Sequence, residues 1–311
     1  MVDFSDSSAI QLAYVSTADG AVPATPTWKV WRATGGGLRL NKSTVTSDER
    51  RADRNVPDLI QTGQDWAGDY QCELSYGTHD DLFAALLRGT WSTNVLKNGV
   101  TKALFAFEHR RQLGAGYSFS RFTGVQVNSC SFSLQSRSKV TMTFNAMALA
   151  EVLGTAIVSG ATYTAANTKA IADASNSVSA LSISSAAILD PVVVRSLNFD
   201  LTNNLRTRPA VGSKFSSEFG TGRFEATGTI ELYFSSNEAY QAVLDHGSAA
   251  ISFTVGTVTN EKYTFLFPKC VLGGGQVQEG GNDEDVIASI PFTAVYDATE
   301  ACSLKITRAV A

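Results

Sequence analysis

The chain has 311 residues, a formal net charge of −4, 44% hydrophobic residues and 17% charged ones. That composition fills a core and excludes a disordered acidic or basic chain, while 25 Lys and Arg against 29 Asp and Glu exclude a generally basic phosphate-gripping protein. No apolar run approaches the ~18 residues of a membrane helix, and the opening MVDFSDSSAIQL has two Asp and neither Lys nor Arg, unlike a secretory signal; a soluble protein made in a cytoplasm is expected.

An alternating strand carries Leu38 and Leu40. The segment Asn41 to Gly68 then reads as a long loop, dense in charge of both signs, with Val56, Leu59, Ile60 and Trp66 embedded in it. Loops of that length are usually functional or disordered; the embedded apolar residues suit a segment that docks on another subunit, and a solvated hairpin arm with no partner is the alternative. Thr78 to Gly89 reads as a helix: Thr78 caps it, Asp80 and Asp81 sit in its first turn, Leu82, Phe83 and Leu86 share a face, and Gly89 ends it. Val125–Leu134 and Lys139–Ala146 alternate with period two, as half-buried antiparallel strands do. Residues 151–190 are a connector, 21 of 40 being Ala, Ser or Thr, with an edge strand around Val178 to Ile183 or as a flexible linker. A second, shorter long loop covers Asn203 to Arg223. Thr227–Phe234 is another alternating strand, and Ser236 to Gly247 repeats the helix design, with a Ser cap and a terminal Gly.

The chemistry-bearing residues form no catalytic pattern. Cys72, Cys130, Cys270 and Cys302 make no CxxC pair and read as buried small hydrophobes. His79, His109 and His246 read as surface or cap residues. Gly220-Thr221-Gly222 lacks the third glycine of a dinucleotide fingerprint, and neither GxxxxGK[ST] nor GxSxG occurs. The clusters Gly35-Gly36-Gly37, Gly273-Gly274-Gly275 and Gly280-Gly281 read as turns or tips. Asp80-Asp81 and Asp283-Glu284-Asp285 are solvated or dipole-favoured acids; a catalytic carboxylate pair is the competing reading. No enzyme activity, cofactor or metal is expected.

The two helices suggest an internal duplication. A shift of 158 residues places Glu73 on Glu231, Leu74 on Leu232, Ala84 on Ala242, Leu86 on Leu244 and Gly89 on Gly247. Leu38 and Leu40 match Leu197 and Phe199, Cys130 matches Cys270, and Phe144 and Ala146 match Phe292 and Ala294. The expected organisation is a first β domain over 1–150, the connector over 151–190 and a second, duplicated β domain over 191–311.

The strings Leu12-Ala13-Tyr14-Val15, Gly37-Leu38-Arg39-Leu40-Asn41-Lys42, Val45-Thr46-Ser47-Asp48-Glu49, Asp53-Arg54, Asp58-Leu59-Ile60, Glu73 to Thr78, Asp80-Asp81-Leu82 and Gly89-Thr90-Trp91 resemble the siphophage tail tube proteins of long non-contractile tails. The resemblance covers nearly the whole chain and is strongest over 10–92. It implies a mainly β fold: two tandem tail-tube-type β-sandwich or barrel domains, each with one short flanking α-helix. It implies a virion protein, assembled in the bacterial host cytoplasm, whose sheets join between subunits into rings that stack as a conduit for DNA, without specific DNA binding or membrane insertion. Tubes of this kind are six domains round, so a duplicated chain implies three chains per ring. Its partners would be copies of itself, a tape measure protein inside the tube, and the tail terminator and tip. The long loops would make the contacts between rings and subunits, through Asp48, Glu49, Arg50, Arg51, Asp53, Arg54, Asp58, Leu59, Ile60 and Trp66 in the first and Arg206, Arg208 and Lys214 in the second, and the first loop would be mobile in the free chain. Another β-sandwich tail component, or an adhesion or binding module, is the alternative.

Overall fold

In the computed structural model, which describes residues 4–184 and 192–311, the alternating segments pair antiparallel in one order that runs through both halves of the chain. Ala33–Gly36 and Arg39–Thr46 pair with Leu59–Glu73, and that strand pairs with Thr141–Ala148. Thr141–Ala148 pairs with the second part of the 20-residue strand Gly116–Gln135. The other edge of that part takes Val194–Thr202. The order then repeats: Val194–Thr202 with Glu225–Tyr233, Glu225–Tyr233 with Ile287–Ala294, and Ile287–Ala294 with Tyr263–Leu272 and Gln276–Gln278.

Because side chains alternate across a strand, each row of paired residues belongs to one face. Tyr70, Phe144, Cys130, Leu201, Ala226, Ala294 and Cys270 form one row, and Cys72, Met142, Phe132, Phe199, Gly228, Phe292 and Leu272 another. Apart from Gly228, which has no side chain, all of these are buried. The row between them, Gln71, Thr143, Ser131, Asp200, Thr227 and Thr293, lies on the opposite face and is polar until it ends on Val271.

A second layer covers the apolar face. In the first half it is made of Ile10–Thr17, Thr27–Val30, Leu104–Leu113 and the first part of Gly116–Gln135. In the second half it is made of Val178–Ser184, Ser248–Val255, the first part of Tyr263–Leu272, and Lys305–Arg308 with Val95–Lys97. Phe107 packs on Tyr70, ring centroids 5.6 Å apart, and Phe253 packs on Phe199 at 6.0 Å. Phe132 and Phe199 stack at 4.5 Å across the seam between the halves, and Phe83 meets both Phe144 and Phe265. One apolar core therefore runs through both halves.

Among the described residues there are two α-helices, Asp80–Leu87 and Glu238–Leu244. Thr78 does not cap the first: its Oγ1 lies 2.6 Å from Ser75 Oγ, and His79 occupies the cap position without a side-chain cap bond. Asp80 and Asp81 fill the first turn, where the helix dipole favours them. Arg88 is left-handed at φ 48°, and the Gly89 N–H closes on the Ala84 carbonyl at 3.0 Å. A Cβ at Gly89 would lie 2.1 Å from the Lys97 carbonyl oxygen, so only glycine fits there. In the second helix the cap position is Asn237, without a side-chain cap bond, rather than Ser236, whose Oγ accepts the Glu238 N–H at 3.4 Å, and His246, at φ 52°, precedes Gly247.

Four expectations change. The segment after Asn41 is a hairpin rather than a loop through most of its length, because Arg39–Thr46 and Leu59–Glu73 pair from Arg39/Ala67 to Thr46/Leu59, with one bulge at Thr62 where the register shifts between Ser43/Gly63 and Thr44/Gln61; only residues 47–58 lie outside the strands. Three stretches of the described connector are paired: Ala150–Gly154 with Gly116–Gln135, Thr162–Thr164 in parallel with Thr27–Val30, and Val178–Ser184, the expected edge strand, with Ser248–Val255. Its residues 185–190 lie outside the described ones. A buried acid fastens its middle: Glu108 accepts from Arg121 Nε at 2.7 Å and from the Tyr163 hydroxyl at 2.6 Å, and Arg121 also reaches the Ala156 carbonyl at 2.7 Å. Leu272, rather than Cys270, stands opposite Phe292 as Cys130 stands opposite Phe144, so that cysteine match is offset by one period along the same face. By the same ladders Phe199, opposite Gly228, answers to Gly36, opposite Tyr70, rather than to Leu40.

The histidines also differ. His246 is exposed as expected, but His79 and His109 are buried. Trp31 Nε1 donates to His79 Nδ1 at 3.2 Å and His79 Nε2 donates to the Glu73 carbonyl at 3.2 Å, which fixes a neutral tautomer. His109 Nε2 lies 2.7 Å from the Tyr70 hydroxyl. Burial pushes both imidazoles down to about 4. The four cysteines are buried and unbridged, as the sequence suggests.

Two outcomes follow from this core. A Cβ at Gly228 would lie 2.6 Å from the Phe292 ring and 2.6 Å from the Asn198 carbonyl oxygen, so Gly228→Ala should cost about 1–3 kcal/mol of overpacking, read as a lower urea midpoint. Between the ordinary imidazole value of about 6.5 and about 4, the unfolded chain binds protons that buried His79 and His109 refuse. Stability is therefore full above that window and falls as pH drops through it, by at most about 3 kcal/mol per histidine. Urea unfolding from pH 7 to 4 should show that slope, and His79→Gln with His109→Gln should flatten it.

Candidate assembly surfaces

The hairpin of Arg39–Thr46 and Leu59–Glu73 leaves the core as a ribbon. Every residue of Arg39–Thr46 is exposed, as are Leu59 (60%) and Ile60 (54%). A ribbon bare on both faces has no core of its own to offset its ordering entropy. Its tip is held by local bonds: the Ser47 N–H donates to the Asp58 carbonyl at 3.1 Å, and Arg51 grips Asp53 through Nε at 3.1 Å and Nη2 at 2.9 Å. The Arg51 guanidinium holds the Asp53 carboxyl down to about 2, so the clasp stays charged through ordinary pH. Asp48, Glu49, Arg50 and Arg54 project around it, all exposed, with Arg54 at φ 59°. Asp58 caps the returning strand by accepting the Leu59 N–H at 2.7 Å.

The second long loop meets the first at its root. Arg206–Arg208 pairs with Glu218–Gly220 as a separate small hairpin, closed by an ion pair between Arg208 and Glu218, which also lies 3.5 Å from Lys102. Its turn lays Phe215 flat against Trp66, centroids 6.2 Å apart and planes 11° off parallel, while the Gln64 N–H donates to the Lys214 carbonyl at 2.7 Å. Lys214 Nζ sits 5.2 Å from the Phe215 ring centroid. Trp66 is only 3% exposed, and its Nε1 donates to Glu151 at 2.9 Å. It anchors the ribbon inside this chain; the residues turned outward are those of the tip with Leu59, Ile60 and Arg206.

The paired acids have structural partners. Asp80 accepts from the Tyr263 hydroxyl and from Arg308 Nη1 at 2.6 Å, and Arg308 stacks 4.4 Å over Trp91. Asp81 lies 2.5 Å from Lys29 Nζ and 3.3 Å from the Tyr14 hydroxyl. Asp80 thus ties the first helix to two strands of the second half. Asp283 to Asp285 lie in a loop in which Glu284 accepts the Gly281 N–H at 3.0 Å. Among the described residues no cluster of three or more His, Cys, Asp or Glu is placed to hold a metal ion, and no helix is long and apolar enough to cross a membrane.

The outer face of the shared sheet is a mainly polar surface that runs across both halves, and sequence reading by itself does not find it. The strand segments 66–73, 129–135, 141–148, 196–202, 225–233 and 287–294 contain neither Lys nor Arg. Their outward residues are mainly hydroxyls, amides and the acids Asp69, Glu73, Asp200, Glu225 and Glu231, with Ala67, Met147 and Pro291 among them. Asn145 Nδ2 donates to Asp69 at 2.7 Å, Ser133 to Asn198 at 2.8 Å and Ser196 to Glu231 at 2.9 Å, so this face is laced strand to strand. Two of the glycine clusters read as turns lie on it instead: Gly35 and Gly36 end one side of the sheet, and Gly273 to Gly275 interrupt the strand at the other. The signal available in sequence was the alternation flanking each cluster.

The family model for phage tail tube proteins matches residues 7–294. Comparison with curated proteins returns no match.

Phe215→Ala should loosen the ribbon root without touching the core. Losing a ring stack worth about 0.5–1.5 kcal/mol should speed hydrogen exchange at the Gln64 amide roughly two- to tenfold, with the melting temperature of the β-core unchanged.

Proposed function

This chain belongs to the phage tail tube protein family, a structural component of the virion tail, and from that premise we propose that it is the major tube subunit of a long non-contractile siphophage tail. Three chains form each ring, rings stack, and the stack is the conduit through which DNA leaves for the host. The observation that carries this reading is the sheet shared by the two halves. Its strand order repeats, and the register repeats with it: Tyr70 faces Phe144 as Gly228 faces Phe292, and Gly68 faces Ala146 as Ala226 faces Ala294. These pairs support a duplicated chain whose halves are successive tube domains, so that three chains supply six. Heterologous contacts of this kind close into rings when the rotation allows it.

The laced polar face lines the lumen. Every fixed cation on a conduit wall adds affinity for passing phosphates, and this face carries mostly hydroxyls, amides and acids, with Arg195 and Lys269 the basic residues in the strands of its second half. The ribbon tips, with their mixed charges and exposed Leu59 and Ile60, contact the next ring; charges set register and apolar residues supply burial. The tape measure protein would occupy the lumen, and the terminator and tip proteins the two ends. Assembly takes place in the host cytoplasm. No catalysis and no cofactor enter this role.

Three measurements check it. Native mass spectrometry of rings released from assembled tubes should give three chains; six would contradict the domain count. The unassembled protein should bind duplex DNA more weakly than micromolar near physiological salt, and tight, steeply salt-dependent binding would contradict a non-adhesive wall. Replacing residues 47–58 with a short Gly/Ser turn should leave the circular dichroism spectrum and melting unchanged and stop tube growth in negative-stain micrographs. Normal tubes from that variant would remove the tip from the stacking contact.

A further inference from the structure

The seam between the halves is a completed strand-to-strand joint, and the two outer ends of the same sheet are its unfilled counterparts. At the seam, Cys130 faces Leu201, Phe132 faces Phe199, Ser133 faces Asn198 and Leu134 faces Leu197. The ladders on either side say which residues stand in the same places elsewhere. Opposite Thr141, Ser133 has its counterpart in Gln276, opposite Ser289. One row on, Leu134 answers to Val277; Cys130, opposite Phe144, answers to Leu272, opposite Phe292. On the other side of the seam, Asn198 is opposite Thr229 and Leu197 opposite Ile230, as Gly35 is opposite Gln71 and Ala33 opposite Cys72.

Both counterparts are open. Among the described residues Gln276–Gln278 pairs only with Ile287–Ala294, and Ala33–Gly36 only with Leu59–Glu73. Natural sheet edges are normally blunted by Lys, Pro or a covering segment. Leu272-Gly-Gly-Gly-Gln-Val-Gln278 and Ala33-Thr-Gly-Gly-Gly37 contain no charge and no proline. A cleft lined by Ser7, Ile10, Ala33, Thr34 and Gly35 runs beside the second edge. Glycine leaves the main chain accessible on both edges: Gly274 has open space where a Cβ would stand, and Gly36 takes φ 100°.

We propose that the edge Gly274–Gln278 of one chain, beyond Leu272, whose N–H is taken by the Gly247 carbonyl at 3.1 Å, pairs antiparallel with the edge Ala33–Gly36 of a second copy of this chain, in the register of the internal seam, with Gln276 opposite Gly35 and Val277 opposite Ala33. The inference rests on the tube reading, and it names the edges and the register. The partner is a second copy because the two edges are opposite ends of one repeating sheet, so each supplies what the other lacks. The joint between chains also differs from the joint within one. Where Phe132 stacks on Phe199 at 4.5 Å inside the chain, Gly36 meets the glycines of 273–275, so main-chain hydrogen bonds carry the contact between chains.

The test is a cysteine pair in the full chain, Gly35→Cys with Gln276→Cys. A side chain at position 35 meets only the movable end of Gln71, and the native cysteines are buried. Assembled and oxidised, the double variant should run on non-reducing gels as a ladder ending in a closed trimer, while wild type, either single variant and the shifted pair Gly35→Cys with Gln278→Cys stay monomeric. Tubes in micrographs without that ladder, or a ladder from the shifted pair, would overturn the edge and register and leave the tube reading standing. Absence of rings and tubes from wild type would overturn the tube reading itself. Hydrogen exchange on the unmodified chain gives a second readout: amides of 33–36 and 274–278 should slow at least tenfold on assembly, and unchanged exchange there in assembled tubes would overturn the proposal without any variant.

Discussion

The pairing of Val194–Thr202 with the second part of Gly116–Gln135 is the constraint on which the rest depends. It turns two sheets into one, brings Phe132 onto Phe199, and sets Asp200 beside Ser131 in a single polar row. Had the second half packed face to face with the first, the polar faces would have been buried against each other or split between two surfaces. Joined edge to edge, they make one wall. The buried side of the same joint explains why the halves share a core, and why Phe83 of the first helix can reach Phe265.

The remaining contacts between the halves hold that joint at a fixed angle. Asp80 draws Tyr263 and Arg308 to the first helix, and Lys305–Arg308 pairs with Val95–Lys97, so the end of the chain is stitched into the first half. Glu108 with Arg121 and Tyr163 fastens the connector. A buried acid that loses its cation is left uncompensated at a cost of about 3–5 kcal/mol, which gives this pair a positional role whatever its net contribution.

Much of the core was legible in the sequence because period-two alternation is a local signal. Val140, Met142, Phe144 and Ala146 declare their face without reference to any partner, and both helices announce themselves through spacing and a terminal glycine. Phe144 and Ala146 stand opposite Tyr70 and Gly68, and Phe292 and Ala294 opposite Gly228 and Ala226. What failed were statements that depend on a partner. Residues 41–46 and 59–68 read as loop because the ribbon is bare on both faces over 41–46 and 59–62 and carries no alternation to detect there. Trp66 read as a docking residue because nothing in sequence points to Phe215, about 150 positions away. His79 and His109 read as surface groups because their hydrogen-bond partners, Trp31 and Tyr70, come from other strands. The glycines at 35–37 and 273–275 read as turns because an edge and a turn use the same permissive residue.

The central claim is that the polar face of the shared sheet forms the wall of a conduit, and an electron cryo-microscopy reconstruction of tubes assembled from the purified chain tests it most directly. The account predicts a continuous inner wall on which Asp69, Asp200 and Glu231 point into the lumen, with the hairpin tips of residues 47–58 bridging to the next ring. A reconstruction in which that face lies on the outside of the tube, or is buried between subunits, would contradict it.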